Sequence, residues 1–118
     1  MEGDKAALRD GSVFEYCKLN DMVIQAWSVL QFGYFKGNFV GNEQFQQLNQ
    51  VLNRLALKYG VSPSAIAIAW VLRYPAKMQA VVGTTNPKHL LEASQASNVN
   101  ITRKEWYEIY LAAGNDLP

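Results

Sequence analysis

Cysteine and histidine are nearly missing from this chain: Cys17 and His89 stand alone among 118 residues. A single thiol excludes an internal disulfide, and no Cys/His cluster has the spacing of a zinc site. His89 has no Ser, Cys or metal-ligand partner at a recognisable spacing, so a nucleophilic triad is unsupported. Cys17 shares a helical apolar face with Val13 and Phe14 and is expected to be a core residue rather than a nucleophile. An excess of one charge is missing too. Eleven Lys and Arg against ten Asp and Glu, interspersed, leave a net charge of +1, which gives no reason to expect nucleic acid or an anionic membrane as partner. No apolar run approaches the roughly 20 residues that span a bilayer. The opening Met-Glu-Gly-Asp-Lys lacks the basic and apolar regions of a signal peptide, so a cytoplasmic address is the expectation. Internal repeats and low-complexity segments are absent as well.

What the chain does have is core-forming material. Apolar residues make up 49% of it, enough to bury a core, and the length suits one domain or a piece of one. The most informative stretch is 79–92, Gln-Ala-Val-Val-Gly-Thr-Thr-Asn-Pro-Lys-His-Leu-Leu-Glu. Ala80, Val81 and Val82 read as a short strand buried on both faces. Gly83 removes the side chain where the strand stops, Thr84 and Thr85 add hydroxyls, Asn86 suits an N-cap and Pro87 the first helical turn. Orphan N–H groups and hydroxyls at the positive end of a helix dipole favour an anion, and a phosphate would fit. Strand, glycine and capped helix also occur in α/β proteins that bind nothing there.

The first nine residues are polar and expected to be disordered. Asp10 or Ser12 can cap a helix through Val13, Phe14, Tyr16, Cys17 and Leu19, closing at Asn20 and Asp21. Residues 22–30, Met-Val-Ile-Gln-Ala-Trp-Ser-Val-Leu, suit a strand. Residues 31–41 carry three glycines and three phenylalanines without a steady period and read as a long loop, in which Phe32, Tyr34, Phe35 and Phe39 either line a pocket or, the simpler reading, pin the loop to the fold. A helix from Asn42 to Tyr59 presents Phe45, Leu48, Val51, Leu52, Leu55, Ala56 and Tyr59 as one stripe, with Gly60 just past its end. Ser62-Pro63 opens a helix whose Ala65–Leu72 segment is apolar nearly all round and so should be buried on several sides, ending at Arg73 and Pro75. After the strand at 79–83, a helix from Pro87 to about Ser97 points Leu90, Leu91 and Ala93 inward. Thr102 to Glu105 is a capping box for a last helix with Trp106, Ile109, Tyr110 and Ala113 inward and Gly114 at its end. The spacing therefore predicts an α/β chain, mostly helical, with two strands and four to five helices. A strand, intervening helices and a second strand form a right-handed parallel βαβ unit. Two parallel strands alone leave open edges, so residues 1–118 read as a single partial domain.

Taken in order, these segments resemble the C-terminal part of an aldo-keto reductase, a (β/α)8 (TIM) barrel oxidoreductase that uses NADPH. Ala26-Trp-Ser-Val-Leu30 resembles the Tyr-Ser-Pro-Leu segment at the end of that family's seventh strand, and Val81-Val-Gly-Thr-Thr-Asn-Pro-Lys-His-Leu90 its eighth strand and phosphate loop. Ser-Pro followed by an Ala/Ile-rich helix ending in Trp-Val-Leu-Arg resembles the seventh-helix region. Barrel enzymes keep their sites at the C-terminal ends of the strands and often bind phosphate after strands seven and eight. The resemblance implies that Trp27 stacks on the nicotinamide, that Ser28 donates to the pyrophosphate with Leu30 beside it, that Gly83, Thr84 and Thr85 surround the adenosine 2′-phosphate, and that Glu92 lies near the adenine. Two residues depart from the pattern. Val29 stands where proline is usual, which predicts a looser turn after Ser28, and His89 replaces an arginine, a stronger anion partner, which leaves the preference for NADP over NAD open. Lys88 is available as a substitute cation.

The resemblance also implies what is lacking. The family's catalytic Tyr, Lys, Asp and His lie on earlier strands with no counterpart here, so no catalytic residue is assigned, and the chain alone is expected to be inactive and to hold the cofactor weakly or not at all. Its exposed strand edges predict a homo-oligomer, or a partnership with the N-terminal part of a barrel. Besides the reading as an oxidoreductase fragment, a stand-alone oligomerising or protein-interaction module and a residual nucleotide-binding module remain open.

Overall fold

Ser62 sets the start of the most buried helix: its hydroxyl accepts the Ala65 N–H at 3.1 Å, and Pro63 occupies the first turn, where its missing N–H costs nothing. In the computed structural model, which describes residues 11–33 and 36–117, the elements run α1 (Ser12–Leu19), β1 (Ile24–Ala26), a 3₁₀ turn (Glu43–Phe45), α2 (Gln46–Tyr59), α3 (Pro63–Leu72), β2 (Met78–Ala80), α4 (Pro87–Ser94), a second 3₁₀ turn (Gln95–Asn98) and α5 (Arg103–Ala112). This is the predicted α/β order with five helices and two parallel strands, paired Ile24 to Met78, Gln25 to Gln79 and Ala26 to Ala80. The disorder expected for residues 1–9 concerns positions outside the described residues. No single helix among the described residues is long and apolar enough to cross a membrane.

α3 sits at the centre because its middle, Ala65 to Ala69, carries only alanine and isoleucine. Its run from Ala65 to Ala69 is buried on every side, against α2 through Leu48, Leu52 and Leu55, against α4 through Ala93, and against the chain after α4 through Ala96. α5 packs on α2 with Ile109. The α3–α5 contact is made by two tryptophans. The rings of Trp70 and Trp106 stack with centroids 4.7 Å apart, and each indole N–H donates to the other residue's backbone carbonyl, at 3.0 and 3.1 Å. The predicted capping box is complete: the Thr102 hydroxyl accepts the Glu105 N–H and the Glu105 carboxylate accepts the Thr102 N–H. Glu105 is buried, with a salt bridge from Lys58 at 2.5 Å and a hydrogen bond from the Tyr59 hydroxyl at 2.8 Å. Burial alone would raise this carboxyl, but the hydrogen bonds from Lys58, the Thr102 backbone and Tyr59 outweigh it and hold the pKa at about 2. The same contact raises Lys58, while burial and then the Glu105 hydrogen bond raise Tyr59.

Several expectations are corrected. The strands predicted over 22–30 and 79–83 shrink to three residues each, because each has one neighbour and the ladder lasts only where the two overlap. Its outer rungs are the Ile24 N–H to Lys77 and the Val81 N–H to Ala26, both 2.8 Å. α1 has no side-chain cap; Gly11 takes the N-cap position at φ 74°, and Asp10 lies outside the described residues. Cys17 is half-buried rather than core, since α1 buries none of its residues and touches the body through Phe14 on Tyr74 at 4.8 Å. On α4 only Ala93 is buried; Leu90 and Leu91 are 55% and 66% exposed. A helix that approaches its neighbour through an alanine turns its larger side chains away. Asn42 caps the short 3₁₀ turn and not α2 itself, while Gly60 ends α2 in the left-handed conformation at φ 66°.

Candidate functional site

The C-terminal ends of both strands open onto one cleft of about 540 Å³. From the end of β1 come Trp27, Ser28, Val29 and Leu30; from the end of β2, Val81, Val82, Gly83 and Thr84; from α4, His89, Glu92 and Ala93. Every predicted site residue except Thr85 lines it, and Thr85 is exposed. Residues separated by some sixty positions meet here because β1 and β2 are adjacent and parallel, so their outgoing loops leave on the same side.

The β1 corner is tight. Trp27 is 67% exposed, an indole held out as an open face. Ser28 takes φ 54°, a left-handed conformation that costs a non-glycine residue about 1 kcal/mol or more, and its carbonyl accepts the Gln31 N–H at 2.9 Å. The looser turn expected from Val29 is therefore not observed: the turn closes without proline. At the β2 corner the Thr84 hydroxyl accepts the Asn86 N–H at 3.1 Å, and the Asn86 side chain accepts the Lys88 N–H at 3.0 Å. Thr84 still has its own hydroxyl proton to donate, and the His89 N–H is the next donor in a turn where Pro87 has none. Lys88 has no carboxylate partner among the described residues.

Gly83 tests whether a bulky group fits. Its φ is not left-handed, and a Cβ built on it would meet no protein atom within 4 Å. Neither backbone strain nor packing inside the chain calls for glycine there. What the missing side chain leaves is room against the backbone on the cleft wall, the arrangement that lets a phosphate approach main-chain N–H groups.

Four residues lining the cleft escaped the sequence reading: Gln31, Gly37, Asn38 and Ser64. The first three belong to the 31–41 loop, where a single antiparallel bridge joins Gln31 to Asn38. Asn49, buried in α2, ties down that loop's far end: its carbonyl oxygen accepts the Gly41 N–H at 2.7 Å and its amide donates to the carbonyls of Phe39, Asn42 and Phe45 at 2.9, 3.1 and 3.0 Å. Phe45 adds ring contacts to Phe32 at 5.0 Å and Phe39 at 6.4 Å, so these aromatics pin the loop; Tyr34 and Phe35 lie outside the described residues. A polar residue at a stripe-edge position of α2 was the only available signal for Asn49.

Comparison with known proteins gives the family and the fold. Residues 7–112 match the Aldo/keto reductase family. The chain belongs to that family. It is 38% identical over 94 residues to 6-dehydroglucose reductase of Agrobacterium fabrum and 30% identical over 95 residues to oxidoreductase YdhF of Escherichia coli, alignments that take in 78% and 79% of this chain. Each covers only 30% of the relative, so the chain spans about a third of the length of the curated aldo/keto reductases it matches. Among solved structures, a thermostable aldo-keto reductase, Tm1743, superposes with a TM-score of 0.64 at 20% identity, over 91% of this chain and 34% of the other. An aldo-keto reductase from a Medee basin deep-sea metagenome, MGS-M4, gives 0.56 at 17% identity, over 87% and 35%. The fold is thus that of part of an aldo/keto reductase barrel, and the family generally depends on NADP(H).

Proposed function

We propose that this chain is the cofactor-holding part of an NADP(H)-dependent oxidoreductase, without carbonyl-reducing activity of its own. The observation that carries the reading is the single cleft that gathers Trp27, Ser28, Leu30, Gly83, Thr84, His89 and Glu92 from two strand ends and the first turns of α4. The bound cofactor would supply a hydride. The chain's part is to offer the Trp27 face to a flat ring, the Ser28 and Thr84 hydroxyls and the α4 N-terminus to phosphates, and Lys88 and His89 as nearby donors. Reduction of a carbonyl also needs a proton donor at the reacting oxygen. Of the described tyrosines, 16, 59, 74, 107 and 110, none lines the cleft, and the Tyr59 proton is engaged by Glu105. A cytoplasmic location belongs to the same reading.

Roughly half of a cofactor's contacts would come from elsewhere in a complete barrel, and each lost hydrogen bond is worth about 1 kcal/mol, so affinity near millimolar is expected. NADPH oxidation with a panel of aldehydes should stay at the buffer rate, and calorimetry should give weak NADPH binding that Trp27→Ala abolishes. Turnover above buffer, or micromolar binding indifferent to Trp27, defeats the proposal. A second reading, an oligomerising or protein-interaction module, is favoured by one observation: Met22 and Val23 just before β1 and Val81 just after β2 are exposed, as are Leu90 and Leu91 of α4.

A further inference from the structure

A second cleft, of about 270 Å³, lies at the opposite end of α3 and shares no lining residue with the first. Ser64 borders one and Arg73 the other, about 14 Å apart along the helix axis at 1.5 Å per residue. The second cleft is lined by Arg73, Tyr74, Pro75, Arg103, Trp106 and Tyr107: two guanidinium groups and three aromatic rings, with no carboxylate.

The ion pairs among the described residues engage Lys18, Arg54, Lys58 and Lys77, and neither arginine of the cleft takes part in one. Arg73 commits only its Nε–H, to the Ile101 carbonyl at 3.3 Å, which orients the side chain and leaves its terminal nitrogens to donate. Arg103 lies over the Tyr107 ring with its guanidinium carbon 5.7 Å from the centroid, so its edge is presented while its face is occupied. Helix stability does not account for Arg103, which stands in the first turn of α5 beside Lys104, at the end of the dipole that repels cations. An anion there would relieve that repulsion. Trp106, fixed by its stack on Trp70 and its indole hydrogen bond, makes a rigid wall.

We propose that this cleft binds a small aromatic anion, one ring bearing a carboxylate or a phosphate, with the charge held by Arg73 and Arg103 and the ring laid against the tyrosine and tryptophan side chains. A planar fork suits either oxyanion, and the volume admits one ring and its charged group, not a nucleotide. The test is an NMR titration of the full chain, following the three indole N–H signals with benzoate and phenyl phosphate in separate arms and inorganic phosphate and toluene as controls. A saturable shift of the Trp106 signal at millimolar or lower concentration is expected with at least one aromatic anion, Trp27 remaining still, and the arm that saturates first identifies the acid group. Arg73→Gln and Arg103→Gln, both at exposed positions, should each weaken that binding about tenfold, the effect of losing roughly one charged hydrogen bond. The proposal is overturned if no aromatic anion saturates in the unmodified chain, if toluene or inorganic phosphate does as well, if the shift centres on Trp27, or if Arg103→Gln leaves affinity unchanged. None of these results depends on NADPH binding, so this site and the first can fail separately.

Discussion

Asn49 engages both ends of its amide with residues 39–45, adding side-chain bonds to turns that the backbone already closes. Replacing it with leucine keeps the volume but strands the Gly41 N–H, while the Phe39 and Asn42 carbonyls keep only their turn bonds from the Asn42 and Phe45 N–H groups, and the loop bordering the cleft loses its anchor. A loss of about 1–3 kcal/mol is expected for Asn49→Leu in urea unfolding, with a new proteolytic site near residues 39–45; a loss well below about 1 kcal/mol would mean that water takes over the orphaned Gly41 N–H without penalty. Glu105 yields a pH prediction. Its folded pKa of about 2 lies below the ordinary 4.5, so the unfolded chain binds more protons in that interval and stability rises with pH across it. The contribution is complete above the ordinary value and is lost as pH falls from there toward 2. Screening at the rim, where Lys58 is exposed, limits it to on the order of 1–2 kcal/mol. Glu105→Gln should therefore destabilise the chain at neutral pH and flatten the acid limb of its stability profile. An unchanged slope between pH 5 and 2 would show that other carboxyls control acid unfolding.

At the scale of elements, the beginnings of α3, α4 and α5 were legible because a cap is a local object, whereas those of α1 and α2, which start without a side-chain cap, were not. Ser62-Pro63, Asn86-Pro87 and the Thr102–Glu105 box each state a start within four residues, and all three start helices where predicted. Strand lengths and the inward face of α4 were not legible, because they depend on which neighbour is present: Leu90 and Leu91 have the spacing of a core face and no core to meet. The site divides the same way. Residues at the two strand ends were legible through the order of motifs, whereas Gln31, Asn38 and Ser64 reach the cleft only through loop closure and the packing of α3. The reciprocal lock between α3 and α5 was equally hidden, since nothing local says that Trp70 and Trp106 stack. It offers a clean dissection. Trp70→Leu removes one indole hydrogen bond and the stack but leaves its carbonyl to receive the Trp106 N–H; Trp106→Leu does the converse. Each should cost about 1–3 kcal/mol, and since the two hydrogen bonds are independent, the double-mutant coupling isolates the ring–ring term at about 1 kcal/mol. A coupling near zero would indicate that the hydrogen bonds alone hold the two helices together.

The molecule as a whole has a well-formed helical core and an unfinished sheet. α2, α3 and α5 bury a continuous set of leucines, isoleucines and alanines, so the helical layer has what it needs within the chain. The sheet does not: among the described residues β1 and β2 each have a neighbour on one side only, the flanking Met22, Val23 and Val81 are exposed, and Leu19 of α1 with Leu90 and Leu91 of α4 add further exposed apolar surface. Sheets normally protect such edges with lysine, proline or a covering loop, and Lys77, next to β2, is already paired with Asp21 at 2.6 Å. An open parallel edge accepts a further strand, and two copies pairing edge to edge would convert two two-stranded sheets into one of four while burying the flanking side chains. Light scattering across a micromolar series should therefore give a mass that climbs above the 13.2 kDa of one chain. Val23→Lys and Val81→Lys place a charge at the β1 and β2 edges respectively, so the variant that restores the single-chain mass identifies the edge used, and a rise that survives both moves the contact to the leucines of α4. A constant 13.2 kDa at every concentration would mean that two three-residue strands on this helical core are stable with both edges in water, and the case for a partner, whether a second copy or the remainder of a barrel, would lose its physical basis.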